Sequence, residues 1–120
     1  MARVVETRDL YRVGTSGNDV LVSVNVGLGQ AGMTKVLLGL TPLLTTSPPI
    51  GRLNIGPGAG LEGQLLIVET RVDDVSTKTD KMGVDVTLEG GTRTKTIKAD
   101  DDGDGPGKSL LFRTFVAFRK

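Results

Sequence analysis

The strongest constraint on this chain is a two-residue alternation of apolar side chains, most regular between Leu61 and Leu88. Leu66, Val68, Thr70 and Val72 fall on one side of an extended segment, with Ile67, Glu69, Arg71 and Asp73 on the other. Beyond a polar stretch, Val84, Val86 and Leu88 alternate with Asp85, Thr87 and Glu89. A period of two belongs to strands, whose successive side chains leave the backbone on opposite faces; a helix would repeat every three or four residues. The pattern predicts two long strands joined by the polar turn Asp73–Gly83. Their inner face, Leu66, Val68, Val72, Val84, Val86 and Leu88, is expected in the core.

The same rhythm recurs on both sides. Arg3 to Val13 sets Val5, Thr7 and Tyr11 against Glu6, Arg8 and Arg12, a charge load that suits an edge strand. Val20, Val22, Val24 and Val26 alternate with Leu21, Ser23 and Asn25. Met33 to Thr41 fits both periods, but Gly39 and Pro42 disfavour a helix, so a strand is expected. Leu43 to Pro49, with Thr-Thr-Ser-Pro-Pro, reads as a loop, and Ile50 to Ile55 as a short strand with Leu53 and Ile55 inward. Gly90-Gly91 is read as a two-residue hairpin turn into a polar edge strand, Thr92 to Ala99. Glycine, at 17 of 120 residues, is well above the roughly 7% average, as suits short strands separated by tight turns. The expectation is one domain over residues 1–120: an all-β, antiparallel β-sandwich, Ig-like or jelly-roll-like, of about eight strands with little or no helix.

Composition removes several chemistries. With no cysteine there is no disulfide, thiolate metal site or thiol nucleophile, and with no histidine the commonest general base and metal ligand is missing. Fifteen basic and 14 acidic residues are interspersed along the chain, which argues against nucleic acid as a partner. One tyrosine and no tryptophan leave little to stack on bases or sugars. No stretch approaches the ~20 apolar residues of a membrane span, and the charged N-terminus does not read as a leader. A soluble protein is expected, cytoplasmic by default; an extracellular chain already freed of its leader would look the same.

Four motifs need weighing. Gly27-Leu28-Gly29-Gln30-Ala31-Gly32 matches the glycine pattern that cradles a pyrophosphate at a helix N-terminus. No adequate helix follows, the acidic residue about 20 positions on is missing, and no second βαβ unit appears, so a structural glycine connection is expected. Gly56-Pro57-Gly58-Ala59-Gly60 lacks the lysine and hydroxyl ending of a phosphate loop and reads as a turn. Carboxylates near Leu61–Leu88, among them Glu69, Asp73, Asp74 and Asp85, lie where pairing with Arg71, Lys81 or Arg93 explains them, so an enzyme is not expected.

Asp100, Asp102 and Asp104 occupy the first, third and fifth positions of an acidic calcium loop, with Gly105 at the turn. The closing glutamate is absent, since the twelfth position is Leu111, so another carboxylate (Asp73, Asp74 or Asp80) would have to complete the site. Calcium is therefore the only cofactor the residues suggest.

Finally, Ser109 to Arg119 is apolar on both sides. Leu110, Phe112, Val116 and Phe118 share one face, and Leu111, Phe115 and Ala117 the other. A strand of this kind is covered twice, or covered once and completed by a partner. The expected function is a non-catalytic structural or protein-interaction module, self-associating or docking through Leu111, Phe115 and Ala117. The alternative is a calcium-dependent or carbohydrate-binding module built on Asp100, Asp102 and Asp104.

Overall fold

The computed structural model describes residues 3–15, 17–27, 30–76, 81–102 and 108–120. Among these residues nine strands form: β1 (Arg3–Arg12), β2 (Asp19–Gly27), β3 (Ala31–Leu38), β4 (Thr41–Thr46), β5 (Ile50–Pro57), β6 (Leu65–Asp73), β7 (Lys81–Glu89), β8 (Lys95–Asp102) and β9 (Ser109–Arg119). Among the described residues the only helical element is a 3-10 turn at Gly58–Gly60. Among the described residues no helix is long and apolar enough to cross a membrane.

The strands build two sheets, one of five in the order β1-β9-β6-β3-β4 and one of four in the order β5-β2-β7-β8. Their apolar faces meet in one buried cluster, to which the first sheet contributes Leu66, Phe112 and Phe118 and the second Val22, Val86 and Leu88. Alternation is the cause. In β9 every second residue from Leu110 to Phe118 is buried, and in β7 every second residue from Met82 to Leu88. The all-β expectation holds, as do the edge positions of β1 and β8.

Four details differ from the sequence-based expectation. Among the described residues there are nine strands rather than about eight, because residues 43–46, expected as loop, continue from Thr41 and Pro42 as β4. β4 is an edge strand, where Pro42 forfeits a hydrogen-bond donor without interrupting a ladder on both sides. Gly39, at φ +61°, turns the chain between β3 and β4. Second, β6 and β7 are not a hairpin. β6 lies between β9 and β3, and β7 between β2 and β8, so their core faces look at each other across the interior. Third, pairing is not wholly antiparallel: β1 runs parallel to β9, from Arg3 opposite Leu110 to Arg12 opposite Arg119. Fourth, Leu88 pairs with Lys95, so the β7–β8 connection is longer than the two glycines alone, and β8 runs on to Asp102.

Candidate functional site

β9 sits one strand in from the edge of the five-stranded sheet, between β1 and β6. Its inward side chains are buried, while Leu111, Arg113, Phe115 and Ala117 on the other side are half-buried. That partial shielding comes from lateral neighbours in the same sheet. The four-stranded sheet lies against the opposite, inner face, where the common core is.

Strand register arranges this outer face into rungs. The first is Val4, Leu111, Arg71 and Met33; the second is Glu6, Arg113, Glu69 and Lys35; the third is Arg8, Phe115, Ile67 and Leu37. A fourth begins with Leu10, Ala117 and Leu65. Val4, Met33 and Leu65 remain 43%, 49% and 36% exposed, which is high for large apolar side chains inside a sheet. The Arg8 guanidinium lies 4.5 Å above the Phe115 ring centre, a cation–π contact that flattens onto the face. In the charged rung, Arg113 Nε donates to Glu69 Oε1 at 2.7 Å, and its Nη1 is 3.5 Å from Glu6 Oε1. One cation thus lies between two carboxylates, with mainly apolar rungs above and below it that hold one arginine each, Arg71 and Arg8.

The three interface residues expected from the sequence, Leu111, Phe115 and Ala117, therefore lie together on one accessible face. Sequence reading does not find Glu6, Glu69 and Lys35 as their companions. Those residues come from three different strands, and only the order β1-β9-β6-β3 aligns them.

The acidic run is placed differently from a calcium loop. Asp100 and Asp102 belong to β8, opposite Gly83 and Lys81, and Asp104 lies outside the described residues. Asp101, between them, accepts a hydrogen bond from Arg3 at 2.8 Å, and that bond holds its carboxyl below the usual carboxylate range. Of the carboxylates that might complete a site, Asp73 is engaged by Arg71 and Ser109, Asp74 by Gln30, and Asp80 lies outside the described residues. Among the described residues no group of three ligand-bearing side chains converges as a metal site would require.

The glycine motifs serve packing. Within the first, residues 28 and 29 lie outside the described residues, but Gln30 and Gly32 are informative. A Cβ on Gly32 would stand 2.8 Å from the Arg71 carbonyl oxygen, so glycine is needed for β3 to approach β6. Gln30 is buried and tied to the chain between β6 and β7: its Nε2 donates to Asp74 Oδ1 and to the Lys81 carbonyl, both at 3.1 Å. In the second motif, Gly58 packs against Val13, where a Cβ would meet the valine Cβ at 3.0 Å.

A small polar cleft between β1 and β8 holds an ion pair, Lys95 Nζ to Asp9 Oδ1 at 2.7 Å. Burial raises the Asp9 pKa, but the Lys95 hydrogen bond, the Leu10 amide and the Lys95 charge together outweigh it, leaving the carboxyl below its ordinary 3.8. A depressed pKa stabilises the fold above the unfolded-state value, and the benefit is lost as pH falls through the lower folded-state value. Lys95→Met is therefore expected to melt a little below wild type at pH 6, by no more than ~1 kcal/mol for so exposed a pair. Thermal melts should show that gap closing towards pH 2; a gap of unchanged size there would mean that Lys95 acts through its hydrogen bond to the Leu10 carbonyl instead.

Comparison with protein-family models, curated proteins and solved structures gives no match for this chain. Its surfaces are what remain to be read.

Proposed function

We propose that the chain is a non-catalytic β-sandwich module that self-associates, with the outer face of the five-stranded sheet as its contact surface. The observation carrying this reading is the set of apolar rungs around Leu111, Phe115 and Ala117, continued by Val4, Met33, Ile67 and Leu65 onto the neighbouring strands. A monomer gains nothing from exposing such a band, whereas an association buries it. The occupant is a second copy. The charged rung holds two carboxylates and two cations, so an identical face supplies every charge it needs. Five strands at about 4.8 Å spacing also give a face on the order of 600 Å² in plan, comparable with the roughly 800 Å² per partner of a standard interface. The absence of histidine and cysteine supports a role without catalysis.

The test is the molar mass in solution by light scattering across a concentration series, for wild type and for Met33→Glu with Leu65→Glu. Both substitutions are on exposed positions and leave the core intact. Wild type is expected to be dimeric or larger at high micromolar concentration, and the double variant monomeric with an unchanged melt. A wild-type chain that stays monomeric at millimolar concentration overturns self-association and leaves the face to a different protein.

A further inference from the structure

Resting on that reading, we infer that two copies meet face to face about a two-fold axis running along the strands, midway between β9 and β6, and that the rung Glu6–Arg113–Glu69–Lys35 selects this arrangement. Signs along the rung alternate: negative on β1, positive on β9, negative on β6 and positive on β3. The pattern is antisymmetric about the β9/β6 seam. Rotation by half a turn about an axis along that seam places β9 of one copy over β6 of the other, and β1 over β3. Arg113 then faces Glu69 of the second copy, and Glu6 faces its Lys35, with both pairs formed twice.

The competing two-fold, perpendicular to the strands through the same rung, superposes each residue on itself. It would set Glu6 on Glu6, Arg113 on Arg113, Glu69 on Glu69 and Lys35 on Lys35. Like charges placed opposite one another in a closing interface are strongly unfavourable. The other rungs agree with the first axis. Phe115 lands on Ile67, Ala117 on Leu65 and Val4 on Met33, so apolar groups meet apolar groups across the seam. Arg71 and Arg8 fall on Leu111 and Leu37, against which their alkyl stems pack, with the Arg8 guanidinium kept over Phe115. Both axes keep the strands of the two stacked sheets within about 30° of each other, as aligned packing requires, so the charges and not the strand angle separate them.

Glu6 and Lys35 are the residues to test, because within one chain they are three strands apart and make no contact. Glu6 is exposed and its pairs are long, 3.5 Å to the half-buried Arg113 and 3.9 Å to the exposed Arg8, and Lys35 makes no ion pair among the described residues, so reversal at either position is expected to leave the fold intact. Glu6→Lys alone sets the introduced lysine against Lys35 twice in a dimer. Lys35→Glu alone sets the introduced glutamate against Glu6 twice. Mixed together, the two variants place a lysine against a glutamate at both contacts, and so does a single chain carrying both substitutions.

Analytical ultracentrifugation at low salt is expected to show each single variant dimerising at least about tenfold more weakly than wild type, with the equimolar mixture and the double variant restored. Added salt should shrink the differences, since exposed charges are screened. Melts of each variant report folding separately from association. Single variants that dimerise like wild type, or a mixture that fails to recover, overturn this axis while leaving self-association standing. A monomeric wild type removes both.

Discussion

Gly90→Ala is expected to lower the stability of the fold by about 3 kcal/mol or more, while Gly56→Ala costs about 1–2 kcal/mol. Both glycines have positive φ, +96° at Gly90 and +109° at Gly56, so both variants carry similar backbone strain. They differ in what surrounds them. A Cβ on Gly56 meets nothing within 4 Å, whereas one on Gly90 overlaps the Asp19 carbonyl oxygen and approaches the Val20 Cα at 3.3 Å. The obstacle at Gly90 is backbone at the start of β2, which cannot yield as a flexible side chain would. The next residues extend the clasp: the Gly91 amide donates to the Tyr11 hydroxyl at 2.9 Å, and that hydroxyl donates to the Arg93 carbonyl at 2.7 Å. Tyr11 is the last residue but one of β1, the strand that also carries Glu6 and Arg8 on the outer face of the five-stranded sheet. Urea midpoints for the two alanine variants measure the difference directly. Equal losses would show that the turn lifts off β2 freely, and that only φ matters at Gly90.

How much of this is legible in the sequence can be argued from particular strands. β2, β6, β7 and β9 announce themselves because each buries one face, and burial of one face forces apolar residues onto alternate positions. β4 escapes notice for the opposite reason. At an edge, with Pro42 and exposed threonines, it buries little more than Leu44, so its sequence carries almost no periodic signal. The pairing of β6 with β7 is a wrong expectation because alternation reports which side of a strand is buried and is silent on which strand lies beside it. Two apolar faces in adjacent sheets look the same, in one dimension, as two side by side. The candidate face has the same fate in part. Leu111, Phe115 and Ala117 are visible as a second apolar side of one strand, but Glu6 joins them only through a parallel pairing across nearly the whole length of the chain, and Lys35 only because β3 lies antiparallel to β6. For the acidic run, spacing alone does not show that Asp100 and Asp102 fall in a strand, paired with Gly83 and Lys81.

The crossing between β6 and β7, where sequence and structure part most sharply, depends on Gln30, and Gln30→Leu is expected to cost about 3–5 kcal/mol. Its Oε1 accepts from the amides of Val75 and Ser76 at 2.7 and 2.8 Å, and its Nε2 donates to Asp74 and to the Lys81 carbonyl. One side chain thereby satisfies both ends of the connection that carries the chain from one sheet to the other. Leucine fills the volume but removes a partner from two part-buried amides, a part-buried carbonyl and the buried Asp74 carboxylate; a buried group left unsatisfied costs about 1–3 kcal/mol, and the part-buried ones less, since water reaches them. Against a total stability typically near 5–15 kcal/mol, that is a large fraction. Gln30→Glu separates the two halves of the interaction. Glutamate still accepts from Val75 and Ser76, but it sets a second carboxylate against Asp74, and two neighbouring carboxylates resist ionising together. This variant is expected to be markedly destabilised at pH 7 and to regain stability as pH falls and one of the pair takes up a proton, the reverse of the Asp9–Lys95 dependence. Chemical denaturation of both variants from pH 7 down to pH 4 is the measurement. A Gln30→Glu chain as stable as wild type at pH 7 would mean that the Asp74 contact contributes nothing, and that the two amides alone hold the crossing in place.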